Sequence, residues 1–130
     1  MGPSSRSKEY FSPSFTYLRP AVFTADQSVA QSLVGLGSDC VDPVWPLPLY
    51  KGYEATLKSE IADLSSTGSM PLGGAITAAL FLQHFIGQQT LWMHLDGGAY
   101  NMQAKPGRPK GGEAMGLRTL FAFIQDRYLS

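Results

Sequence analysis

The sequence offers few of the side chains from which disulfides and metal sites are built. Its 130 residues include one cysteine and two histidines. Cys40 therefore cannot form an internal disulfide, and it matches no standard zinc spacing with the histidines. No two of the ten acidic residues form the Asp-x-Asp or Asp-x-Glu pair that metal-dependent hydrolases often use. The residues alone predict no metal site, and Asp39 and Asp42 are interpreted as turn residues.

Charge is also scarce, at 15% of residues against about 25% in ordinary domains. Ten basic residues balance ten acidic ones, which disfavours a nucleic-acid partner. No apolar run reaches the roughly 18 residues that span a bilayer, and the N-terminus lacks the apolar core of a secretion signal. We therefore expect a cytoplasmic protein without a membrane partner. Its 44% hydrophobic content suits one folded domain whose surface is partly covered by something else.

The spacing of apolar residues predicts a mostly helical chain. Helices are expected over residues 24–37, 52–64, 75–86 and 113–128. Thr24 is the expected N-cap of the first helix. The third helix is apolar on nearly all sides, which is typical of a buried helix. The residues expected to face inward on the first and last helices are Val29, Leu33, Leu36, Leu117, Leu120, Phe121, Ile124 and Tyr128.

One clear strand is expected, over residues 91–95, at the centre of the sheet. Residues 44–49 are extended, but Pro46 and Pro48 lack backbone N–H groups, so this segment cannot be a fully paired central strand. A sheet generally needs three or more strands to be stable. Either the clear strand pairs with another chain, or the rest of its sheet lies in sequence absent here. The expected fold class is α/β, a partial mixed-sheet domain.

The best candidate for a binding loop lies at the end of this strand. Asp96 follows the strand directly, where open α/β sheets bind ligands. The alternative, which we weigh more heavily, is that Asp96 only caps the turn. His94 and His84 are interpreted as ordinary histidines of apolar segments. A nucleophilic arrangement of Cys40, His94 and Asp96 is disfavoured because no Gly-x-Ser-x-Gly pattern is present.

Two other segments are weaker candidates for ligand binding. Gly73 and Gly74 precede the third helix, where they could place an anion at its N-terminus, but close packing explains them equally well. The basic residues of segment 105–110 could hold a carboxylate or a phosphate. A solvated loop is the preferred interpretation of that segment.

Several sequence blocks occur in a familiar order. They are WPLPL (45–49), LKSEIADL (57–64), GGAITAALFL (73–82), WMHLD (92–96), GGEA (111–114) and LRTL (117–120). In this order and spacing, the chain from about residue 20 to its end resembles the C-terminal part of the catalytic domain of the leucine (cytosol) aminopeptidase family. We therefore divide the chain into residues 1–20, a divergent loop or N-terminal extension, and residues 21–130.

The resemblance implies a metalloaminopeptidase that removes N-terminal residues from peptides. Family members use two divalent metals, typically zinc, manganese or magnesium, and assemble as hexamers. However, the family's Asn-Thr-Asp-Ala-Glu-Gly-Arg signature, which supplies two metal ligands and the catalytic arginine, is absent from this sequence, as are the upstream lysine and aspartates. These residues would precede residue 1. We therefore expect a C-terminal fragment that carries no catalytic residue and no metal ligand and is inactive alone.

The resemblance leaves one wall of the substrate pocket to this chain. In the family, the loop after the His-Leu-Asp strand lines the pocket for the N-terminal side chain. Gly98 and Asn101 fall nearest the lining positions, and Asp96 is a secondary candidate. The loop departs from the common Asp-Ile-Ala-Gly sequence, so a side-chain preference is not inherited.

Two alternative functions remain open. The first is a non-catalytic interaction or assembly remnant that docks onto a full-length aminopeptidase through its unpaired strand, since low charge and an open strand edge favour a partner. The second, which has less support, is a hydrolase that uses Cys40 as its nucleophile.

Overall fold

The computed structural model describes residues 19–58 and 73–129. Its helices are α1 (Gln27–Asp39), a 3-10 helix (Lys51–Leu57), α2 (Gly74–Gln83) and α3 (Leu117–Tyr128). Its strands are β1 (Ala21–Phe23), β2 (Trp45–Pro46), β3 (His94–Asp96), β4 (Tyr100–Asn101) and β5 (Gly111–Gly112). None of the helices in these two segments is long and apolar enough to span a membrane.

In the described part of the chain, the main sheet has three strands in the order β2-β1-β3. β1 is parallel to β2 and antiparallel to β3, so the sheet is mixed and the predicted α/β class is confirmed. The predicted central strand was wrong in place and length. The strand expected over residues 91–95 is β3, which begins at His94 and lies at an edge, while the short β1 is central. β3 pairs with β1 of this chain. The expectations that it pairs with another chain, or that the rest of its sheet is absent from this sequence, did not include this pairing.

Helices cover both faces of this sheet. On one face, Val22 of β1 packs with Val29 and Leu33 of α1 and with Phe123 of α3. On the other face, Ala21 and Phe23 pack with Ala79 of α2. Side chains of successive strand residues point to opposite faces, so these two apolar clusters follow directly from the alternation along β1.

The first helix was predicted correctly in its inward face but not in its ends. Val29 and Leu33 are buried, as expected. The N-cap is Asp26 rather than Thr24, because the Asp26 carboxylate accepts from the N–H groups of Ser28 at 2.8 Å and Val29 at 3.3 Å. The helix also continues past the glycines expected to end it, as far as Asp39.

The inward face predicted for the last helix was wrong at four of its five residues; the exception is Leu120, which packs against the core cluster. Leu117, Phe121, Ile124 and Tyr128 are 50–65% exposed, while Thr119 and Phe123 are buried. α3 begins at Leu117, four residues later than expected, and packs against α1 through a face that contains a threonine. Periodicity identifies an apolar stripe, but it does not identify which neighbour is present to cover it.

The expectation that the third helix is buried on all sides was also wrong. α2 buries Thr77, Ala79 and Leu80, and it packs against β1 and the 3-10 helix. Leu82 in α2 and Phe85 just after its end are exposed. The helix predicted over residues 52–64 is a 3-10 helix over Lys51–Leu57 as far as it is described. The rest of it, residues 59–64, lies outside the described residues, as do residues 65–72 of the predicted loop and residues 1–18.

The segment after β3 is not a plain loop. β4 and β5 form an antiparallel hairpin in which Tyr100 pairs with Gly112 and Asn101 with Gly111. Lys105 and Arg108 close its tip through reciprocal backbone hydrogen bonds of 2.8 and 2.9 Å. Strands of two residues carry no detectable alternation, and for this reason the sequence alone did not reveal them.

Candidate functional site

Asp96 is the last residue of β3 and pairs with Ala21, the first residue of β1. The prediction that it follows the strand was therefore off by one residue. Because β3 runs antiparallel to β1, the loop after Asp96 leaves the sheet at the end where β1 begins. The rule that ligands bind at the carboxyl ends of parallel strands does not apply to this loop.

The Asn101 side chain is committed to interactions within the hairpin. It is 4% exposed, and its Nδ2 donates to the Pro109 carbonyl oxygen at 3.2 Å and to Glu113 Oε2 at 2.8 Å. The side chain therefore fixes the hairpin instead of presenting its amide to a ligand. Any contribution of Asn101 to a pocket wall comes from the position it gives to the neighbouring backbone.

The turn between β3 and β4 is held by one backbone hydrogen bond and contains one unusual residue. Glu113 N–H donates to the Ala99 carbonyl oxygen at 3.0 Å. Ala99 has a φ of 49°, in the left-handed region that residues with a Cβ rarely adopt. Gly98, the other predicted pocket residue, is half-buried immediately before it. The turn at Gly98 and Ala99 thus has a fixed shape.

Glu113 and Arg108 join the hairpin to the end of α1. Arg108 Nη1 lies 2.7 Å from Glu113 Oε1, and the Arg108 Nη2 donates to the carbonyl oxygen of Val41, just after α1. Of the basic segment expected to be a solvated loop, Lys105 and Lys110 are exposed, but Arg108 is only 26% exposed at its side chain. Its guanidinium therefore binds groups of this chain, Glu113 and the Val41 carbonyl.

Asp42 does more than form a turn. It is 2% exposed, and its two carboxylate oxygens accept from the N–H groups of Gly116 at 3.0 Å and Arg118 at 2.9 Å. The Thr119 hydroxyl donates to the Asp42 carbonyl oxygen. A residue 74 positions away thus caps the start of α3 and attaches it to the end of α1.

The remaining sequence candidates have structural roles or no shared site. His94 stacks on Phe23 with ring centroids 5.9 Å apart, which is a packing role. His84 follows α2 and is exposed, so its expected place on a buried helix was wrong. Gly73 has a φ of 71° and would place a Cβ 2.8 Å from the Tyr53 ring, so close packing explains this glycine.

A cleft that the sequence did not predict lies at the carboxyl ends of the parallel strands β1 and β2. It has a volume of about 540 Å³, and Thr24, Gln27, Leu47, Lys51 and Gln83 are among its lining residues. The signal that could have found it is the pairing of β1 with β2, which becomes visible only when β1 is recognised as a strand. Its lining is mixed, with one cation and several apolar side chains.

The described residues do not fit a dinuclear metal centre. No three of their His, Cys, Asp or Glu side chains come together at a site for a metal ion. The most buried carboxylate, Asp42, has both oxygens engaged by backbone N–H groups, and Glu113 is engaged by Arg108 and Asn101. Neither carboxylate is free to act as a ligand.

Comparison with known proteins gives a consistent match. The model of the cytosol aminopeptidase family, catalytic domain, matches residues 15–121. The probable cytosol aminopeptidase of Desulfovibrio desulfuricans is 44% identical over 110 residues, which is 83% of this chain and 22% of that protein. The crystal structure of the Coxiella burnetii cytosol aminopeptidase superposes with a TM-score of 0.79 and 48% identity, over 84% of this chain and 24% of that one.

A third similar structure is a complex with manganese. The bottromycin maturation enzyme BotP in complex with Mn superposes with a TM-score of 0.76 and 32% identity, over 83% of this chain and 24% of that one. In all of these comparisons, the chain spans less than a quarter of the protein that it matches, about 22% of the Desulfovibrio relative.

Proposed function

Since this chain belongs to the cytosol aminopeptidase family and matches the C-terminal part of its catalytic domain, we propose that it forms part of a metal-dependent leucyl aminopeptidase. Such an enzyme removes N-terminal residues from peptides. The observation that carries the proposal is the agreement in sequence and fold over most of the chain. The family's metal-binding signature is nevertheless absent from the sequence. The chain therefore acts only together with sequence that supplies the metal ligands, and alone it hydrolyses nothing.

In this proposal the chain supplies scaffold and one pocket wall. Gly98 and Asn101 line the pocket for the substrate's N-terminal side chain, with Asp96 beside them. The hydrogen bonds from Asn101 to Glu113 and Pro109 support this role, because they hold the wall in one shape before substrate arrives. The two divalent metals, manganese or zinc, are held by residues outside this chain. By the same resemblance, the assembled enzyme is a cytoplasmic hexamer.

A chimeric enzyme tests this function directly. Residues 20–130 of this chain replace the corresponding segment of the Desulfovibrio desulfuricans relative. With Mn²⁺ and a leucine anilide, we expect hydrolysis by the chimera, none by the relative with the segment deleted, and none by this chain alone. A folded chimera without activity would contradict the proposal. Turnover by the chain alone would contradict the assignment of the metal ligands to other sequence.

A second candidate function is a non-catalytic one, in which the chain docks onto a full-length aminopeptidase. The observation that favours it is the exposed apolar stripe of α3, formed by Leu117, Phe121, Ile124 and Tyr128. Light scattering with and without the full-length relative separates the two functions. A stable complex, together with an inactive chimera, would favour the docking role over the catalytic one.

A further inference from the structure

The cleft at the carboxyl ends of β1 and β2 continues into a second cleft of about 470 Å³. Ala25, Lys51 and Gln83 line both clefts, and Glu54 lines the second one. We call the two together the β1 crevice. Each volume lies in the range of about 300–1,000 Å³ that is typical of sites for small ligands. The crevice also has the position, at the carboxyl ends of parallel strands, where open α/β sheets bind ligands.

Lys51 and Glu54 bring opposite charges to one face of the 3-10 helix. Residues three apart in a 3-10 helix lie above one another, about 6 Å apart along its axis. Among the described residues, every ion pair joins an arginine to another carboxylate, so Lys51 and Glu54 pair neither with each other nor with a third side chain. Glu54 is nevertheless half-buried, and a partly buried carboxylate without a cation is unfavourable. This face is therefore complementary to a ligand that carries both charges.

Thr24 adds a hydrogen-bond donor to the lining of the same crevice. The residue is 9% exposed, and its hydroxyl oxygen accepts from the Asp26 N–H at 3.3 Å. Within the two described segments, the hydroxyl proton of Thr24 has no acceptor. Because buried polar groups are almost always hydrogen-bonded, this proton favours an oxygen atom of a ligand.

Much of the remaining lining is aliphatic. Leu47 and Leu49 are half-buried in the crevice and pack against the core cluster that contains Phe23. Val22 and Ala30 are buried in the same lining. Since core packing holds this wall in place, it can bury a branched aliphatic group without rearrangement.

We propose that the β1 crevice binds a free α-amino acid with an aliphatic side chain, such as leucine. Lys51 and Thr24 bind its carboxylate, and Glu54 binds its ammonium group. Leu47 and Leu49 contact its side chain. A peptide fits less well, because each added residue moves the two charges apart by up to about 3.3–3.6 Å. The inference goes beyond the proposed function and does not rest on it, since all of these groups belong to this chain.

Heteronuclear NMR of the whole chain, titrated with L-leucine, measures this binding. We expect saturation with a Kd of about 1 mM and the largest shifts at the Thr24 and Lys51 amides. Leucinamide lacks the carboxylate and isocaproate lacks the ammonium group, so each should bind at least about tenfold more weakly. The dipeptide leucylglycine should also bind more weakly than leucine.

Four results of this titration would overturn the proposal. The first is no saturable shift up to about 50 mM leucine. The second is equal binding of leucine, leucinamide and isocaproate, and the third is tighter binding of the dipeptide. The fourth is a set of shifts centred on Gly98 and Asn101, because their loop lies at the opposite end of β1.

Matched variants assign each end of the ligand. Lys51→Met should weaken leucine binding by about tenfold or more but should not weaken leucinamide, which has no carboxylate to lose. Glu54→Gln should weaken leucine in the same way but should not weaken isocaproate. Lys58→Met, just after the 3-10 helix and outside the crevice lining, is the control and should change neither. The NMR spectrum of each variant shows that it is folded.

Unchanged leucine binding by Lys51→Met or by Glu54→Gln would overturn the proposal, and so would an equal loss for leucine and for the analogue that lacks the matching charge. The chimera tests the proposed function separately. An active chimera, together with a chain that does not bind leucine, would refute this inference alone. An inactive chimera, together with leucine bound in the β1 crevice, would refute the proposed function alone.

Discussion

Asp42→Ala is the substitution for which the fold predicts a large loss of stability. The carboxylate is 2% exposed and accepts from Gly116 and Arg118 at 3.0 and 2.9 Å. The hydrogen bond from the Gly116 N–H is buried, so this donor would be left without a partner, whereas the hydrogen bond from the Arg118 N–H is only partly buried and water can replace it. A hydrogen bond to a charged group contributes about 1.5–3 kcal/mol, and an unsatisfied buried donor costs about 1–3 kcal/mol. We expect the free energy of unfolding to fall by about 3 kcal/mol.

Urea unfolding followed by far-UV circular dichroism measures this loss. A domain is typically stable by about 5–15 kcal/mol, so the variant should remain folded in water with a clearly lower midpoint. Asp42→Asn keeps the shape and one acceptor oxygen, and it should lose less. Asp26→Ala, which removes the exposed cap of α1, is the matched control and should also lose less. An Asp42→Ala variant no less stable than Asp26→Ala would refute the reasoning that the buried cap joins α3 to α1.

Three further predictions concern the same region and the start of α1. Val41 has a φ of 53° and is 72% exposed. Val41→Gly should relieve about 1–2 kcal/mol of left-handed strain, while the greater entropy of the unfolded glycine chain costs about 0.4–1 kcal/mol. We therefore expect a higher urea midpoint, and a lower midpoint would contradict the strain. Arg108→Ala removes the ion pair with Glu113. Hydrogen exchange should become faster in the β4–β5 hairpin and stay the same in α1. Unchanged exchange in the hairpin would contradict a stabilising role of this ion pair. Hydrogen bonds from the Ser28 hydroxyl and from backbone N–H groups lower the pKa of Asp26 from its ordinary 3.8, so the stability from this cap is complete above that value and is lost as pH falls through the lower folded pKa. Asp26→Asn should remove that part of the acid dependence of the unfolding midpoint, and an unchanged acid profile would contradict it.

The inward face of α1 was predictable because its neighbours are all in this chain. Val29 and Leu33 meet β1 and α3, and both are buried as their spacing indicated. The stripe on α3 follows the same spacing but is exposed, with Phe121 and Ile124 among its members. Periodicity reports which face of a helix is apolar, but it does not report which segment covers that face.

The sheet could not be predicted in full because its pairings are long-range. β1 has three residues, so it carries no usable alternation, and its place at the centre depends on Trp45 and Asp96. The prolines of the 44–49 segment were informative, since they correctly excluded it from the centre of the sheet. Proline acts locally through its missing N–H, whereas the pairing of β1 depends on residues far away in sequence.

The contacts within the loop after Asp96 could not be predicted from the sequence. The sequence pointed to the loop after Asp96, but the contacts of Asn101 with Glu113 and Pro109 arise from a hairpin that the sequence did not reveal. The long-range cap by Asp42 was missed for the same reason, because nothing near Asp42 in sequence indicates that its oxygens reach α3. The roles of Gly98 and Asn101 in substrate binding stay predictions.

Manganese content after gel filtration tests the central claim most directly. The purified chain and the Desulfovibrio chimera are loaded with Mn²⁺ under the same conditions and analysed in parallel. We expect two metal ions per folded chimera and none per chain, because the proposed function assigns the metal ligands to sequence outside this chain. Two tightly held metal ions on the chain alone would contradict the account.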